Sequence, residues 1–252
     1  GKRFGFFPSF SVGWRISEEP FLKKMQESWL TNLKVRYSYG EVGSDKGAPR
    51  FNYIQLFESG GNVTFGKNQN VSFGPLYTEG SLAYHDATWE TAVKQNLGIE
   101  MTLFRKLLAS IDLFKEDRTG ILMSRNSSAP WMGTGLPSVN IGKTKNHGLE
   151  LELGWNDKVG KNFSYFAKFN FSTSENRVVF KDDPNRLDDY LKAAGKPIGY
   201  VNKYLVSGNF GSIDDIFNYT QSGITNGSQN KLIPGDLIYL DYNGDGVINE
   251  KD

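Results

Sequence analysis

Long runs of alternating apolar and polar residues are the feature that most constrains how this chain can fold. One pair of runs covers residues 93–103 and 107–113, and a second pair covers residues 149–155 and 163–171. A period of two residues places successive side chains on opposite faces of a β-sheet. Each pair therefore predicts an antiparallel hairpin with one apolar and one polar face. The fold depends on which solvent each face meets.

Composition favours strands over helices and excludes several classes of function. Of the 252 residues, 38% are hydrophobic, 14% are aromatic and 28 are glycine, which is typical of a chain rich in strands and turns. The 29 basic and 28 acidic residues nearly cancel, so the sequence predicts no nucleic-acid partner. The absence of cysteine excludes disulfides and thiolate catalysis, and two histidines argue against a histidine-rich zinc site.

The rest of the chain contains two more predicted strands, one predicted helix and three irregular stretches. Residues 4–16 and 33–40 predict two more strands, and residues 18–30, after the cap Ser17, have a helical spacing of apolar residues. Irregular stretches fill residues 40–89, 117–146 and 174–252. No run approaches the roughly 20 apolar residues of a spanning helix, and the N-terminal residues do not resemble a signal peptide.

The connections between the predicted strands differ systematically in length. Residues 105–106 and 156–162 form short turns, whereas the irregular stretches run to dozens of residues. In an up-and-down antiparallel sheet, successive connections fall on opposite edges, so the short turns share one edge and the long loops share the other. Bacterial outer-membrane barrels have this asymmetry, with short periplasmic turns and long extracellular loops.

Aromatic residues near the short turns support the same interpretation, because membrane barrels carry aromatic girdles at the bilayer interfaces. These residues are Trp14, Trp155, Phe163 and Tyr165. We therefore predict an all-β fold, an antiparallel transmembrane β-barrel to which this chain contributes about six strands. Apolar side chains would face outer-membrane lipid, and polar side chains would face the lumen.

A soluble fold remains an alternative on periodicity alone. Half-buried alternating strands also build β-sandwiches, in which one face is the core and the other is wet. The corresponding function would be that of a secreted carbohydrate-binding module stabilised by calcium.

Six segments of the chain have a distinctive sequence and order: FGFFPSFSVGWRISEE at 4–19, WLTNLKVRYSYGEVG at 29–43, WETAVKQNLGIE at 89–100, DLFKEDRTGIL at 112–122, NHGLELEL at 146–153 and PGDLIYLDYNGDG at 234–246. In this order, they closely resemble the barrel of SusC-type (RagA-like) TonB-dependent transporters of Bacteroidetes. Each segment is weakly specific by itself. The ordered set spans nearly the whole chain and is strongly specific.

The resemblance implies TonB-dependent import of oligosaccharide or peptide nutrients across the outer membrane. It also implies a SusD-type surface lipoprotein as a lid over the extracellular loops, and energy supplied by TonB through an N-terminal region that this chain lacks. Such transporters carry a signal peptide, a plug domain and about 22 strands. We therefore expect residues 1–252 to be an internal part of the barrel domain, without the plug and the closing strands.

The segment 241–252 has the oxygen spacing of a 12-residue calcium loop. The expected ligands are Asp241, Asn243, Asp245, the carbonyl of Val247, and Asp252. Hard cations require several converging oxygens, so we expect Ca²⁺, with Mg²⁺ less favoured, in an extracellular loop. The alternative is a turn whose side chains cap their own backbone. Asp252 is also shorter than the usual bidentate Glu.

No set of catalytic residues is recognisable, and we do not expect an enzyme. No arrangement joins a nucleophile or a carboxylate to His85 or His147, and both histidines are interpreted as structural. Glu150 and Glu152 could form a pair of catalytic carboxylates, but their period places both on the polar face of a strand, where charge in a barrel lumen is ordinary.

Overall fold

The computed structural model describes residues 4–23, 29–49, 51–66, 71–125, 135–184, 188–219, 232–249 and 251–252. The fold is built almost entirely of strands. They are β1 (Ser9–Arg15), β2 (Leu30–Ser44), β3 (Phe57–Phe65), β4 (Val71–Glu79), β5 (Glu90–Leu103), β6 (Leu107–Met123), β7 (Val139–Val159), β8 (Phe163–Phe180), β9 (Val206–Asn209) and β10 (Leu237–Tyr239). The helical elements with described bounds are α1 (Ile213–Asn218) and the 3₁₀ turns Ile16–Glu18 and Asp189–Leu191, and Lys23 is also helical.

Six strands form one antiparallel sheet in the order β1-β2-β5-β6-β7-β8. The order confirms both predicted hairpins, β5–β6 and β7–β8, and the predicted number of membrane-type strands. Within the described residues β1 and β8 do not pair with each other, so the sheet is an open part of a barrel. Two further sheets contain two strands each, β3 with β4 and β9 with β10.

The long strands extend well beyond the predicted runs. The prediction that residues 117–146 are irregular is wrong at both ends, because β6 continues to Met123 and β7 starts at Val139. In these extensions, charged side chains occupy the alternate positions that are apolar in the rest of each strand, so the sequence no longer alternates between apolar and polar residues. The backbone pairing nevertheless continues, as in Lys115 opposite His147. The predicted turn 156–162 is likewise shorter, since pairing persists to Val159 opposite Phe163.

A hairpin interrupts the stretch 40–89 that was predicted to be irregular. Strands β3 and β4 pair antiparallel, with register shifts on either side of Asn62. Glycines and these irregularities blur the two-residue period in the sequence, which explains why the hairpin was missed. Gly61 and Gly66 take positive φ angles of 97° and 100°, which other residues rarely adopt.

The predicted helix over residues 18–30 is wrong at both ends. Its first residue belongs to the 3₁₀ turn Ile16–Glu18, and Leu30 is already the first residue of β2. Residues 24–28 lie outside the described part of the chain. The turn is fixed instead by a side-chain contact, in which Trp14 Nε1 donates to Glu19 Oε1 at 2.9 Å. No helix in the described ranges is long and apolar enough to span a membrane.

The chain divides into two compact units. The first comprises residues 1–187 and 192–198 and contains the six-stranded sheet, and the second comprises residues 188–191 and 199–252. The second unit contains α1, which begins with a complete capping box between Ser212 and Asp215. Phe210 and Ile248 are buried within this unit, and the rings of Phe210 and Tyr219 meet edge to face at 5.2 Å.

Candidate functional site

The two faces of the six-stranded sheet differ sharply in chemistry. The register aligns one row of apolar residues across all six strands: Trp14, Val35, Ile99, Ile111, Leu151 and Phe171. We call the face that carries this row the apolar face. The opposite parity forms the polar face, which carries Lys34, Arg36, Lys94, Asn96, Glu100, Ser110, Asp112, Glu116, Glu150, Glu152, Lys168, Asn170 and Ser172.

Arg36 of β2 is the centre of an ion-pair network on the polar face. Its Nε donates to Glu100 Oε1 of β5 at 2.9 Å, and its Nη2 donates to both oxygens of Asp112 on β6 at 2.6 and 2.8 Å. Ser110 Oγ donates to Asp112 at 3.3 Å, and Lys34 lies 3.7 Å from Glu100. The network joins three strands through side chains, and it was not foreseen from the sequence.

Gly98 is the residue that allows Arg36 to cross from β2 to β6. It lies on β5 between Arg36 and Asp112 in the register. A Cβ at this position would approach Arg36 Nε to 2.6 Å, well inside van der Waals contact. The guanidinium therefore occupies space that any other residue would fill. A glycine between an Arg and an Asp in the aligned strands is the signal from which the network could have been predicted.

A second ion-pair network lies nearer the edge that carries the long loops. Arg118 donates to Glu116 and Glu90, each at 2.8 Å, and Lys94 lies 3.3 Å from Glu116. These residues come from β5 and β6. The ion pairs hold polar side chains against the sheet, as expected for a surface that faces water.

Glu150 and Glu152 are exposed on the polar face of β7. Neither carboxylate forms an ion pair within the described residues, and both side chains are exposed. Their register partners on β8 are Ser172 and Asn170. Glu152 and Asn170 also line a cavity of about 490 Å³ together with Glu100, Ser110 and Lys168. The arrangement offers carboxylate, amide and hydroxyl groups to a polar solute.

The apolar face is open, and this observation decides between the two predicted architectures. Phe169 is 55% exposed, Phe171 48% and Leu113 47%. A β-sandwich packs a second sheet about 10 Å away against such a face and buries these side chains. The carbohydrate-binding sandwich is therefore not supported. Large contiguous apolar patches are rare on soluble monomers and mark surfaces that contact lipid or another protein surface.

Aromatic side chains gather at the short-turn end of the apolar face. The rings of Phe163 and Tyr165 stack at 6.2 Å, and Trp155 Nε1 donates to the Tyr165 hydroxyl at 3.4 Å. Trp14 lies on the same face of β1, opposite Val35. The four residues of the predicted girdle thus share one face. Near the same turn Lys106 Nζ lies 2.9 Å from Asp157.

The predicted calcium loop is closed by its own side chains. Asp252 Oδ1 accepts from the backbone N–H groups of Tyr242 and Asn243 at 3.1 and 3.4 Å, which brings the last position of the loop to the first. Asp241 accepts from the N–H groups of Gly244 and Gly246, both at 2.7 Å. Asn243 accepts from Asp245, and Asp245 accepts from Val247, each at 2.8 Å.

This geometry is compatible with both interpretations of the loop. In the described residues no group of three or more acidic or histidine side chains is placed to hold a metal ion. The carboxylates turn instead toward backbone amides, as in a self-capped turn. Gly246, at the sixth position, nevertheless has a φ of 83°, as the sharp turn of a calcium loop requires. The calcium site therefore stays a prediction.

Tyr219 lies beside this loop within the second unit. Its hydroxyl donates to the carbonyl of Tyr239 at 3.2 Å. Burial raises the pKa of Tyr219 above its ordinary value, and the negative charge of Asp241 raises it further. The pKa of Tyr219 therefore depends on the charge of Asp241, at the first position of the loop.

The remaining titratable residues are not gathered into a catalytic arrangement in the described part of the chain. His147 lies on the parity of the apolar face, with Nε2 4.0 Å from Glu175 Oε2, and is highly exposed. Glu150 and Glu152 lie on the polar face of one strand, as predicted.

Comparison with known proteins agrees with this two-faced sheet. The sequence profile of the family described as TonB dependent receptor-like, beta-barrel matches residues 2–249. Over 96% of the present chain, the sequence is 30% identical to TonB-dependent receptor P39 of Formosa agariphila. Over 99% of the present chain, it is 25% identical to TonB-dependent receptor SusC of Bacteroides thetaiotaomicron.

Solved structures show the same fold. The RagAB peptide importer in its open-open state aligns with 83% of this chain at a TM-score of 0.63 and 20% identity, and this chain covers 22% of the RagAB chain. The closed-closed state matches 93% of the chain with a TM-score of 0.60. The chain spans about a quarter of the length of the curated relatives, 25% of P39 and 24% of SusC. The profile match over nearly its whole length establishes that this chain belongs to the TonB-dependent receptor-like β-barrel family.

Proposed function

We propose that this chain forms part of the wall of an outer-membrane transporter that imports oligosaccharide or peptide nutrients with energy from TonB. The observation that carries the proposal is the pairing of an open apolar face with an ion-paired polar face on one six-stranded sheet. In a membrane barrel the first face contacts hydrocarbon and the second lines an aqueous lumen. Neither face alone is specific for this function.

The dimensions of the apolar face suit a bilayer. On β8 the apolar parity runs from Phe163 to Phe171, nine residues or about 27 Å along the strand. Tilted strands cross the hydrocarbon in about 9 to 11 residues. The aromatic cluster around Trp155 and Tyr165 lies at one end of this band, where a barrel carries an interfacial girdle.

The polar face supplies the wall of the substrate chamber. The exposed carboxylates of Glu150 and Glu152, with Asn170 and Ser172 opposite them, present hydrogen-bonding groups that both oligosaccharides and peptides can satisfy. The Arg36 network stiffens the wall beside them. The names of the relatives do not decide between the two substrates, since the solved structures are those of a peptide importer and the curated relatives are named only as receptors.

The proposed partners follow from the resemblance to SusC-type transporters, and the two edges of the sheet give the side on which each would act. A SusD-type lipoprotein closes over the long-loop edge from outside the cell, and TonB acts from the periplasmic side through the N-terminal part of the full-length protein. The residues of this chain contribute the wall between these partners.

The loop 241–252 is proposed to bind Ca²⁺ at the extracellular side. Asp241, Asn243, Asp245, Val247 and Asp252 supply oxygens in the required spacing, and the ring closure by Asp252 supports the fit. The ion would supply a fixed positive charge that holds the loop together. Millimolar external calcium could fill even a weak site.

Uptake by living cells tests the transport proposal. A strain that lacks the gene is complemented with the full-length protein, and the uptake of labelled oligosaccharides and labelled peptides is measured with TonB present or deleted. We expect uptake of either the oligosaccharides or the peptides, and this uptake should require both the receptor and TonB. We also expect a SusD-type lipoprotein to copurify with the receptor. Absence of the protein from the outer-membrane fraction, or uptake that continues without TonB, would overturn the proposal.

A further inference from the structure

Charged residues continue the parity of the apolar face beyond the apolar band, toward the long-loop edge. We call this set the charged belt: Lys115 and Asp117 on β6, Lys143, Lys145 and His147 on β7, and Glu175 and Arg177 on β8. The belt begins two residues beyond Leu113 on β6, Leu149 on β7 and Thr173 on β8. Its side chains therefore project in the same direction as the apolar band.

The charges of the belt are only partly compensated. Lys115 lies 2.8 Å from Asp117, and Arg177 lies 2.5 Å from Glu175. Lys143 and Lys145 are exposed and form no ion pair within the described residues. The uncompensated positive charge is therefore concentrated on β7.

The register places two of these cations against each other. Lys145 lies directly opposite Arg177 of β8, and Lys143 follows two residues along the same face. Like charges directly opposite each other destabilise a sheet. Lys145 has Asp117 as its register partner on the other side but forms no ion pair with that carboxylate, whose Oδ2 lies 2.8 Å from Lys115. An external anion above Lys143 and Lys145 would remove the repulsion.

We propose that Lys143 and Lys145, with Arg177 beside them, bind the phosphate-bearing headgroup of an anionic lipid in the outer leaflet. The inference rests on the proposed function, because it requires the apolar face to contact the bilayer. Two lysines on one face of a strand lie about 7 Å apart at their backbones, close enough for one headgroup to contact both ammonium groups. Basic residues beside a membrane surface attract anionic lipids in this way.

The adjoining apolar residues favour a lipid over a free phosphate ion. Leu149 lies two residues from His147 on β7, and Phe171, 48% exposed, lies on the neighbouring strand. Acyl chains attached to the headgroup would cover these side chains, whereas inorganic phosphate would not. The occupant is therefore an amphiphile with its phosphate at the belt and its chains on the band.

The test measures lipid retained by the full-length receptor in nanodiscs, by native mass spectrometry after exchange into bilayers of lipid A, phosphatidylglycerol or phosphatidylcholine. The variant is Lys143→Gln/Lys145→Gln, which keeps the Arg177 ion pair. The control is Lys94→Gln/Lys168→Gln, which removes two cations from the polar face of the same sheet. We expect the belt variant to lose at least about tenfold in affinity for the anionic lipids, lipid A and phosphatidylglycerol, and the control variant to match the wild type.

Two results would overturn the inference. One is equal retention of anionic lipid by the belt variant and the wild type. The other is displacement of the bound lipid by millimolar inorganic phosphate, which would identify a free anion as the occupant. Failure of the receptor to insert into any bilayer would overturn the proposed function as well, whereas normal cellular uptake with unselective lipid binding would overturn this inference alone.

Discussion

Arg36 on β2 reaches across β5 and contacts both carboxylate oxygens of Asp112 on β6, at 2.6 and 2.8 Å. The intervening position in the register is Gly98, whose missing side chain leaves the path open. The ion pair ties together strands that share no backbone hydrogen bond. On the proposed lumen wall, the ion pair fixes the positions of the Arg36 and Asp112 side chains that a substrate would contact.

Gly98→Ala should break this connection. The new Cβ would lie 2.6 Å from Arg36 Nε, so the arginine side chain must move away from Asp112. Because Arg36 is partly exposed, we expect a loss of about 1 kcal/mol in the free energy of unfolding. Denaturant titration of the full-length receptor in detergent measures this loss.

Gly154→Ala is the matched control for that substitution. Gly154 also lies on the polar face, and the nearest atom to a new Cβ there is Leu108 Cβ at 3.9 Å, an ordinary contact. The two alanine variants should therefore differ. Equal stabilities would show that the Arg36 network contributes nothing measurable.

The assignment of the two sheet edges can be tested by labelling intact cells. This chain contains no cysteine, so single cysteines introduced into it give unambiguous sites once any in the rest of the receptor are removed. Lys46→Cys lies in the connection after β2, at the long-loop edge, and Lys161→Cys lies in the short turn between β7 and β8. A membrane-impermeant maleimide should label position 46 in intact cells and position 161 only after lysis. The reverse pattern would show that the sheet is inverted.

The calcium loop makes a separate prediction about charge. Asp241→Asn removes a carboxylate from the first position of the loop and should weaken calcium binding by about tenfold or more, measured by calorimetry on the full-length receptor. Asp214→Asn, in α1 outside the loop, is the control and should bind calcium as the wild type does.

Tyr219 offers a second readout of the same site. Burial and the charge of Asp241 both raise its pKa, so a bound cation at Asp241 should shift the pKa of Tyr219 back toward its ordinary value. Ultraviolet titration of the wild type against Tyr219→Phe, with calcium or with chelator, isolates this tyrosine. No calcium-dependent shift, together with unchanged binding by Asp241→Asn, would leave the self-capped turn as the correct interpretation.

The sequence predicted the sheet well because side-chain parity survives in it as a pattern. The hairpins β5–β6 and β7–β8 and the chemistry of their two faces follow from a two-residue period that backbone geometry enforces. The exposure of the apolar face does not follow from the period, which also fits a sandwich. The ends of β6 and β7 could not be predicted in the same way. There, Lys115 and His147 replace apolar residues on the outward parity, and only backbone pairing reveals the strand.

The contacts within the polar face were harder to predict for a different reason. Arg36, Glu100 and Asp112 lie far apart in the sequence, and their proximity depends on the register between strands. A shift of one residue would move each of them to the other face. The limits of the helix predicted after Ser17 were wrong, because Glu18 belongs to a 3₁₀ turn and Leu30 already pairs in β2, and residues 24–28 lie outside the described part of the chain.

The central claim is that one face of the sheet contacts lipid and the other contacts water. Leu151 and Glu150 are neighbours on β7 with opposite parity, so they provide a matched pair. Leu151→Arg places a charge in the hydrocarbon and should cost about 2 to 4 kcal/mol, whereas Glu150→Arg projects into the aqueous lumen and should cost far less.

The decisive measurement is the free energy of folding of the two full-length variants into lipid vesicles, determined by urea titration. The account predicts a deficit of about 2 kcal/mol or more for Leu151→Arg relative to Glu150→Arg. Equal free energies, or a larger loss for Glu150→Arg, would contradict it.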